Sequence, residues 1–553
     1  MFFIRKKMPR PHALGEPILH ENHPKPVTRR EMLGAGLRSA PALVIGPAWL
    51  GMALKPNKAN ATLVDDILQL TASGQCGLAT SASGIPVICF DLAGGANLVG
   101  SEVLVGQKGG QSNFLTTAGY GKMGLPGNMV PTAGSTFVNS SFGLLWHSDG
   151  AILRGMQTKA SAGTAANTNG AVICGMSQND TNTNPHNPMY GIAAVGARGK
   201  LLNLVGNQSS VSGGNSMAYN PNPLFQPTTI AVPSDDVALV STGGAASDPV
   251  SIAVADSQVR ISGGVTHYGT NQGVVGSEFS GVLAATNAAT AQPGQSGVNL
   301  YVGNPTVDAA IKNQVRCAYV QAAYTADQFG DPGALNPLND VNITGGATPI
   351  FTSTDFQDSD VQKTASVMKL VLNGFAAAGT ITLGGYDYHD STRATGETRN
   401  FKAGQLIGAV LEYAARVGKQ VMIYVFSDGS LSSSAMVDTS TAGRNKLAWQ
   451  GDNQSVSSTF FLVYNPTGRP TVAAGGTQQI GYYTADGAVD PASSPAANSV
   501  MQIPEVMLLN YLGLHNMTSQ FGSFFKGQGL GASSAWAAMT AFSPIASPIL
   551  QPS

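Results

Sequence analysis

Four side chains stand where chemistry could occur. Asp91 ends the apolar run Ile85-Pro86-Val87-Ile88-Cys89-Phe90 and is followed by Leu92-Ala93-Gly94-Gly95-Ala96-Asn97. Asp387 and His389 lie in Gly384-Gly385-Tyr386-Asp387-Tyr388-His389-Asp390, and Asp428 lies in Ser427-Asp428-Gly429-Ser430, directly after Val421–Phe426. Carboxylates with a neutral imidazole suit a hard or borderline divalent cation. Alternation along an extended segment puts Asp387 and His389 on the same side. Carboxylates converging in a cleft repel one another, so convergence implies either a bound ion or raised pKa values. The oxygen-rich set favours one cation of the Ca²⁺, Mg²⁺ or Mn²⁺ type over tetrahedral zinc. Each residue also has a plain structural alternative: a hydrogen-bonded histidine, or a turn or N-cap aspartate. His186, in Asn184-Pro185-His186-Asn187-Pro188, is a further candidate under the same two readings.

The elements around these residues read as α/β, a mostly parallel sheet flanked by helices. Ile85–Leu92, Ala171–Met176, Leu201–Val205, Thr380–Leu383, Val421–Phe426 and Ser458–Tyr464 are short apolar runs, the pattern of strands buried on both faces. Val361, Ala365, Met368, Leu372 and Phe375 share a helical face, which predicts a helix over 361–378 stopped by Gly379. Leu406, Val410, Tyr413 and Val417 predict a second helix over 401–417, capped by Gly418. The two helix–strand units predict adjacent parallel strands with right-handed crossovers, and ligands gather at the carboxyl ends of such strands. Residues 505–525 read as a closing helix, residues 206–300 as an irregular or partly β insertion, and 527–553 as an uncharged tail.

The first 61 residues read as an export leader. Thr28-Arg29-Arg30-Glu31-Met32-Leu33 has the form of a twin-arginine motif; a weakly apolar run and the small-residue site Ala59-Asn60-Ala61 follow. The expected partner is the twin-arginine export machinery. The expected location is periplasmic or extracellular, with residues 62–526 as the main domain and no stable transmembrane span after cleavage. The leader holds 10 of the 30 Lys+Arg and 3 of the 31 Asp+Glu, leaving a mature chain of 20 basic and 28 acidic residues, net −8. A mildly acidic chain without clustered cations excludes nucleic acid as a natural partner. The cysteines, Cys76, Cys89, Cys174 and Cys317, form no Cys-x-x-Cys pair; Cys89 and Cys174 lie in apolar runs and read as buried small hydrophobes.

Taken in order, the twin-arginine leader, Phe90-Asp91-Leu92-Ala93-Gly94-Gly95-Ala96-Asn97 and Gly384-Gly385-Tyr386-Asp387-Tyr388-His389 resemble a bacterial family of Tat-exported proteins of unknown function within the alkaline phosphatase/sulfatase superfamily. The resemblance covers roughly residues 28–100 and 361–465. It implies an alkaline phosphatase/sulfatase-like fold, metal ligands at Asp91, Asp387, His389 and Asp428, and phosphate or sulfate ester hydrolysis. The chain departs from that pattern. Asp428 is followed by Gly429 where a histidine is usual, and Asp452-Asn453 stands near the place of a further Asp-His. No cysteine has the Cys-x-Pro-x-Arg context of a sulfatase, and Ser112, Thr116 and Thr117 are only positional candidates for a nucleophile. These losses imply a degenerate member with a binding or structural role, the alternative being a metal-dependent ester hydrolase. Gly110-Gln111-Ser112-Asn113 resembles an esterase nucleophile block, but the Asp-x-x-His such enzymes need is missing.

Overall fold

Strands built mostly from Val, Ile, Phe and Tyr bury both faces, and they form the centre of the molecule. The computed structural model describes residues 82–134, 136–177, 183–222, 225–239 and 332–549, all within the compact unit Ala61–Ser553. The leader, Cys76, Cys317, His267 and residues 240–331, which include most of the expected 206–300 insertion, lie outside the described residues. The strands are β1 (Val87–Leu92), β2 (Val138–Asn139), β3 (Trp146–His147), β4 (Thr168–Cys174), β5 (Leu202–Gly206), β6 (Thr228–Thr229), β7 (Ala376–Leu383), β8 (Val421–Phe426), β9 (Leu431–Val437), β10 (Leu447–Asp452), β11 (Ser458–Tyr464) and β12 (Gln479–Ile480). Eight of them make one sheet in the order β12-β4-β11-β8-β1-β7-β5-β6. Only β11 runs against the rest, pairing antiparallel with both β4 and β8. β9 and β10 form a separate antiparallel hairpin.

Strand alternation splits the core in two. Ile88, Phe90 and Leu92 of β1, with Val421, Ile423 and Val425 of β8, face one cluster; Val87 and Cys89, with Met422, Tyr424 and Phe426, face the other. The first cluster is covered by α1 (Ala151–Lys159), the second by α2 (Met189–Ala194); α3 (Ser359–Leu372) and α4 (Ala394–Arg416) join the first, and α5 (Gln502–Leu514) the second. The chain is therefore an α/β fold with helices on both sides of a largely parallel sheet. The uncharged tail packs back: Leu530, Trp536, Met539, Phe542 and Ile549 are buried in the second cluster. Cys89 and Cys174 are buried free thiols.

Several element boundaries differ from the sequence expectation. α3 ends at Leu372, because Gly374 turns the chain at φ 73°, and Gly379 sits inside β7 instead of stopping a helix. α4 begins seven residues before Phe401, on a cap supplied by a distant residue. The closing helix breaks after Leu514, where Asn516 takes φ 56°, and resumes only as the short turn Phe521–Phe524. β7 and β8 are not adjacent, since β1 lies between them. Their ends nevertheless share an edge, separated by two strand spacings, or about 10 Å.

Candidate functional site

β1 delivers Asp91 to the carboxyl edge of the sheet, on the face shared by Val87 and Cys89. There it is wholly buried. A Gly/Ser-rich loop, residues 207–219, folds over it. Oδ2 accepts hydrogen bonds from the backbone N–H groups of Asn215 (2.7 Å) and Ser216 (3.0 Å) and from Thr382 Oγ1 (3.3 Å), while Oδ1 accepts from Ser216 Oγ (3.1 Å). Burial pushes the Asp91 carboxyl above the usual range, and these four donors pull it back only in part. The approach is so close that a Cβ on Gly214 would lie 2.8 Å from Asp91 Oδ2, so glycine is required there.

Asp428 follows β8 and is also buried. Its Oδ1 accepts from Gly94 N (2.8 Å), its Oδ2 lies 3.4 Å from Asn215 Nδ2, and its backbone oxygen accepts from Ser177 Oγ and Asn184 Nδ2 (2.6 Å each). Asn215 thus bridges the two aspartates, by its backbone to Asp91 and by its amide to Asp428. Donors aimed at both carboxylates are the surroundings of an anion. They hold Asp91 and Asp428 in place from within the chain.

Asp387 and His389 stand on the same edge, the Asp387 backbone packed against Gly94. In the extended segment after β7, Tyr386 and Tyr388 are turned inward, each 1% exposed, which turns Asp387 and His389 out to solvent. Tyr388 anchors the segment: its hydroxyl accepts from Asn97 N (2.9 Å) and donates to Asn400 Oδ1 (3.3 Å), and its ring packs on Trp449 at 5.9 Å. Trp449 belongs to β10, whose last residue is Asp452. His389 Nε2 lies 2.6 Å from Asp387 Oδ1 and 3.8 Å from Asp452 Oδ1. One ligand atom from each of the three falls within 4.8 Å of the others, the one such grouping among the described residues. Two carboxylates and an imidazole so disposed could hold a metal ion. Asp452 was outside the expected ligand set; its only sequence signal was its place near the third motif of the resemblance. Of the four residues expected to share one site, Asp91 and Asp428 are buried, whereas Asp387 and His389 are exposed on the rim.

His186 is fully buried beside Phe426, with ring centroids 6.0 Å apart, and neither ring nitrogen has a hydrogen-bond partner. Burial pushes its pKa down to about 4, so it is neutral. His147 and His515 serve structure, meeting Met129 O (3.0 Å) and Ser547 O (2.8 Å). Thr116 is the side-chain cap of the helix Thr117–Lys122 and also donates to Ala485 O. Ser112 and Thr117 are exposed.

Sequence reasoning also missed a buried ion cluster behind the rim. Glu397 of α4 accepts from Arg154 Nη2 (2.6 Å), Lys446 Nζ (2.7 Å) and both Nε and Nη2 of Arg393 (3.0 and 2.9 Å). Burial works to raise the Glu397 carboxyl, but these cations outweigh it and hold it below the usual range. Glu102 accepts from Ile152 N at the start of α1 and from Asn400 Nδ2; burial and the nearby Glu397 raise its pKa. Arg393 lies over the Trp449 ring at 4.3 Å. No helix among the described residues is long and apolar enough to cross a membrane. No known protein-family model matches the chain, and no curated protein sequence matches it.

Proposed function

We propose that this chain is an exported protein of the alkaline phosphatase/sulfatase-like fold that binds instead of hydrolysing, in the periplasm or at the cell surface. One divalent cation would be held by Asp387, His389 and Asp452. The observation that carries the non-catalytic reading is the state of Asp91. In a hydrolase of this type a strand-end carboxylate would serve the metal that activates the attack; here the carboxylate already accepts four hydrogen bonds from residues 215, 216 and 382. None of the candidate nucleophiles Ser112, Thr116 and Thr117 belongs to this cluster. The rim triad has the opposite character, with side chains 40–55% exposed. A cation bound there would polarise a ligand oxygen reaching it from solvent. Asp387 and Asp452 would supply charge and His389 a nitrogen donor, while buried Tyr388 and Trp449 hold the two segments in place.

The same openness favours one second reading, a metal-dependent phosphate or sulfate ester hydrolase working at the rim. Metal analysis of the purified mature protein separates the readings when paired with aryl phosphate and aryl sulfate assays. Bound divalent metal without turnover is the expected result. Metal-dependent turnover abolished in Asp387→Ala and His389→Ala would replace it with the hydrolase. A metal-free protein whose melting temperature ignores both chelator and added cation would remove the cation from the proposal.

A further inference from the structure

The cation triad is assembled from two separate pieces of chain: Asp387 and His389 follow a central strand, whereas Asp452 ends a hairpin that is not part of the main sheet. Something must hold that hairpin in register. Trp449 N donates to Thr392 O at 3.0 Å, and Lys446 Nζ reaches Glu397. The third tie is Asp438, just beyond β9. Its Oδ2 accepts from Arg393 N (2.8 Å) and Ala394 N (3.1 Å), the first N–H groups of α4. Arg393, at the cap position, has no side-chain oxygen of its own to offer, so the helix takes its cap from the hairpin. Asp438 also fixes its own turn: its N–H donates to Lys446 O, its backbone oxygen accepts from Asn445 N, and its Oδ1 accepts from Ser440 N. Its carboxyl, held down to about 2 by Ser440, Arg393 and Ala394, is an ionised cap at any working pH.

We propose that Asp438 is a positioning residue for the cation site, docking the Asp452 hairpin onto the N-terminus of α4 and so setting the distance between Asp452 and the Asp387–His389 pair. It is not a ligand. The inference rests on the cation reading above. Because Asp438 is partly exposed, its replacement removes a tether without opening the core.

The test is Mn²⁺ binding by titration calorimetry to the mature protein and to Asp438→Ala, Asp438→Asn and Asp387→Ala. Loss of the tether in Asp438→Ala is expected to weaken Mn²⁺ binding by about tenfold or more, the scale of outer-shell losses at metal sites. Asp438→Asn, which keeps a capping oxygen, is expected to restore most of it. In the unsubstituted protein, Mn²⁺ is expected to slow amide exchange in β10 and in the first turn of α4 together, a readout independent of how well any variant folds. Wild-type affinity in Asp438→Ala, with binding lost in Asp387→Ala, would overturn the positioning role and leave the cation site standing. Exchange slowed at residues 387–389 alone would also overturn it. No Mn²⁺ binding by the unsubstituted protein would overturn the cation reading itself, and the inference with it.

Discussion

The two groups of acidic residues at the carboxyl edge of the sheet have the same composition and opposite surroundings. Asp91 and Asp428 are buried and receive N–H and O–H donors from the 207–219 loop and from Gly94. Asp387 and Asp452 stand in solvent beside an imidazole. A buried carboxylate needs hydrogen-bond donors in place of water, and here the chain supplies them itself. A carboxylate in solvent keeps its hydration and can exchange that water for a cation. The comparison teaches that aspartates on one sheet edge can differ completely in burial and in hydrogen-bond partners. Whether a loop closes over such a residue decides which surroundings it has.

The largest effect should come from breaking the buried group. Asp91→Ala leaves the N–H groups of Asn215 and Ser216 without an acceptor in a closed site, and should cost about 3–5 kcal/mol of unfolding free energy. Chemical denaturation measures this, and a chelator should not alter the difference. Equal stability of variant and parent would show that the loop does not depend on its carboxylate.

Acid should act on the buried side next. His186 has a folded pKa of about 4, below the ordinary 6.5 of the unfolded chain. Between those values the unfolded state binds the extra proton, so stability is whole above pH 6.5 and falls as the pH drops toward 4. The loss should approach about 3 kcal/mol over that window. His186→Phe should flatten the pH dependence by about one proton, and an unchanged slope would mean that the imidazole is solvated. His147, lowered to about 4 chiefly by burial, contributes in the same direction and is left in place by that substitution.

The exposed group should respond to cation instead. At a concentration about 100 times its dissociation constant, a divalent ion bound only by the folded state adds about 2.7 kcal/mol. Thermal unfolding of the parent with and without Mn²⁺ should show this gain, and Asp387→Ala should lack it. The smallest effect is the sharpest contrast: in chelator, Asp387→Ala should lie within about 0.5 kcal/mol of the parent, as expected of a surface change. A large loss there would mean that Asp387, like Asp91, is a structural carboxylate.

Much of the scaffold was legible because burial of a strand on both faces leaves a direct mark, an unbroken apolar run. β1, β8 and β11 were read that way, and α4 was found from the spacing of Leu406, Val410 and Tyr413. The hairpin β9–β10 was not, since its Ser-rich first strand is largely solvated and has no apolar run to betray it. The start of α4 was missed because its cap, Asp438, lies 44 residues from Ala394. Among the candidate site residues, the shared side of Asp387 and His389 followed from alternation alone, but not that it faces solvent.

The sequence by itself determined the layered α/β architecture, the strand ends at Asp91 and Asp428, and the shared side of Asp387 and His389. These depend on local apolar periodicity, which the order of residues encodes directly. Tertiary structure alone decided that β1 separates β7 from β8, that residues 214–216 close over Asp91, and that Asp452 joins Asp387 and His389. Each of these contacts joins residues dozens to hundreds apart in the chain. Their formation is fixed by which surfaces are left to bury and which hydrogen bonds remain to be satisfied once the sheet is packed, and no local pattern of residues carries that information.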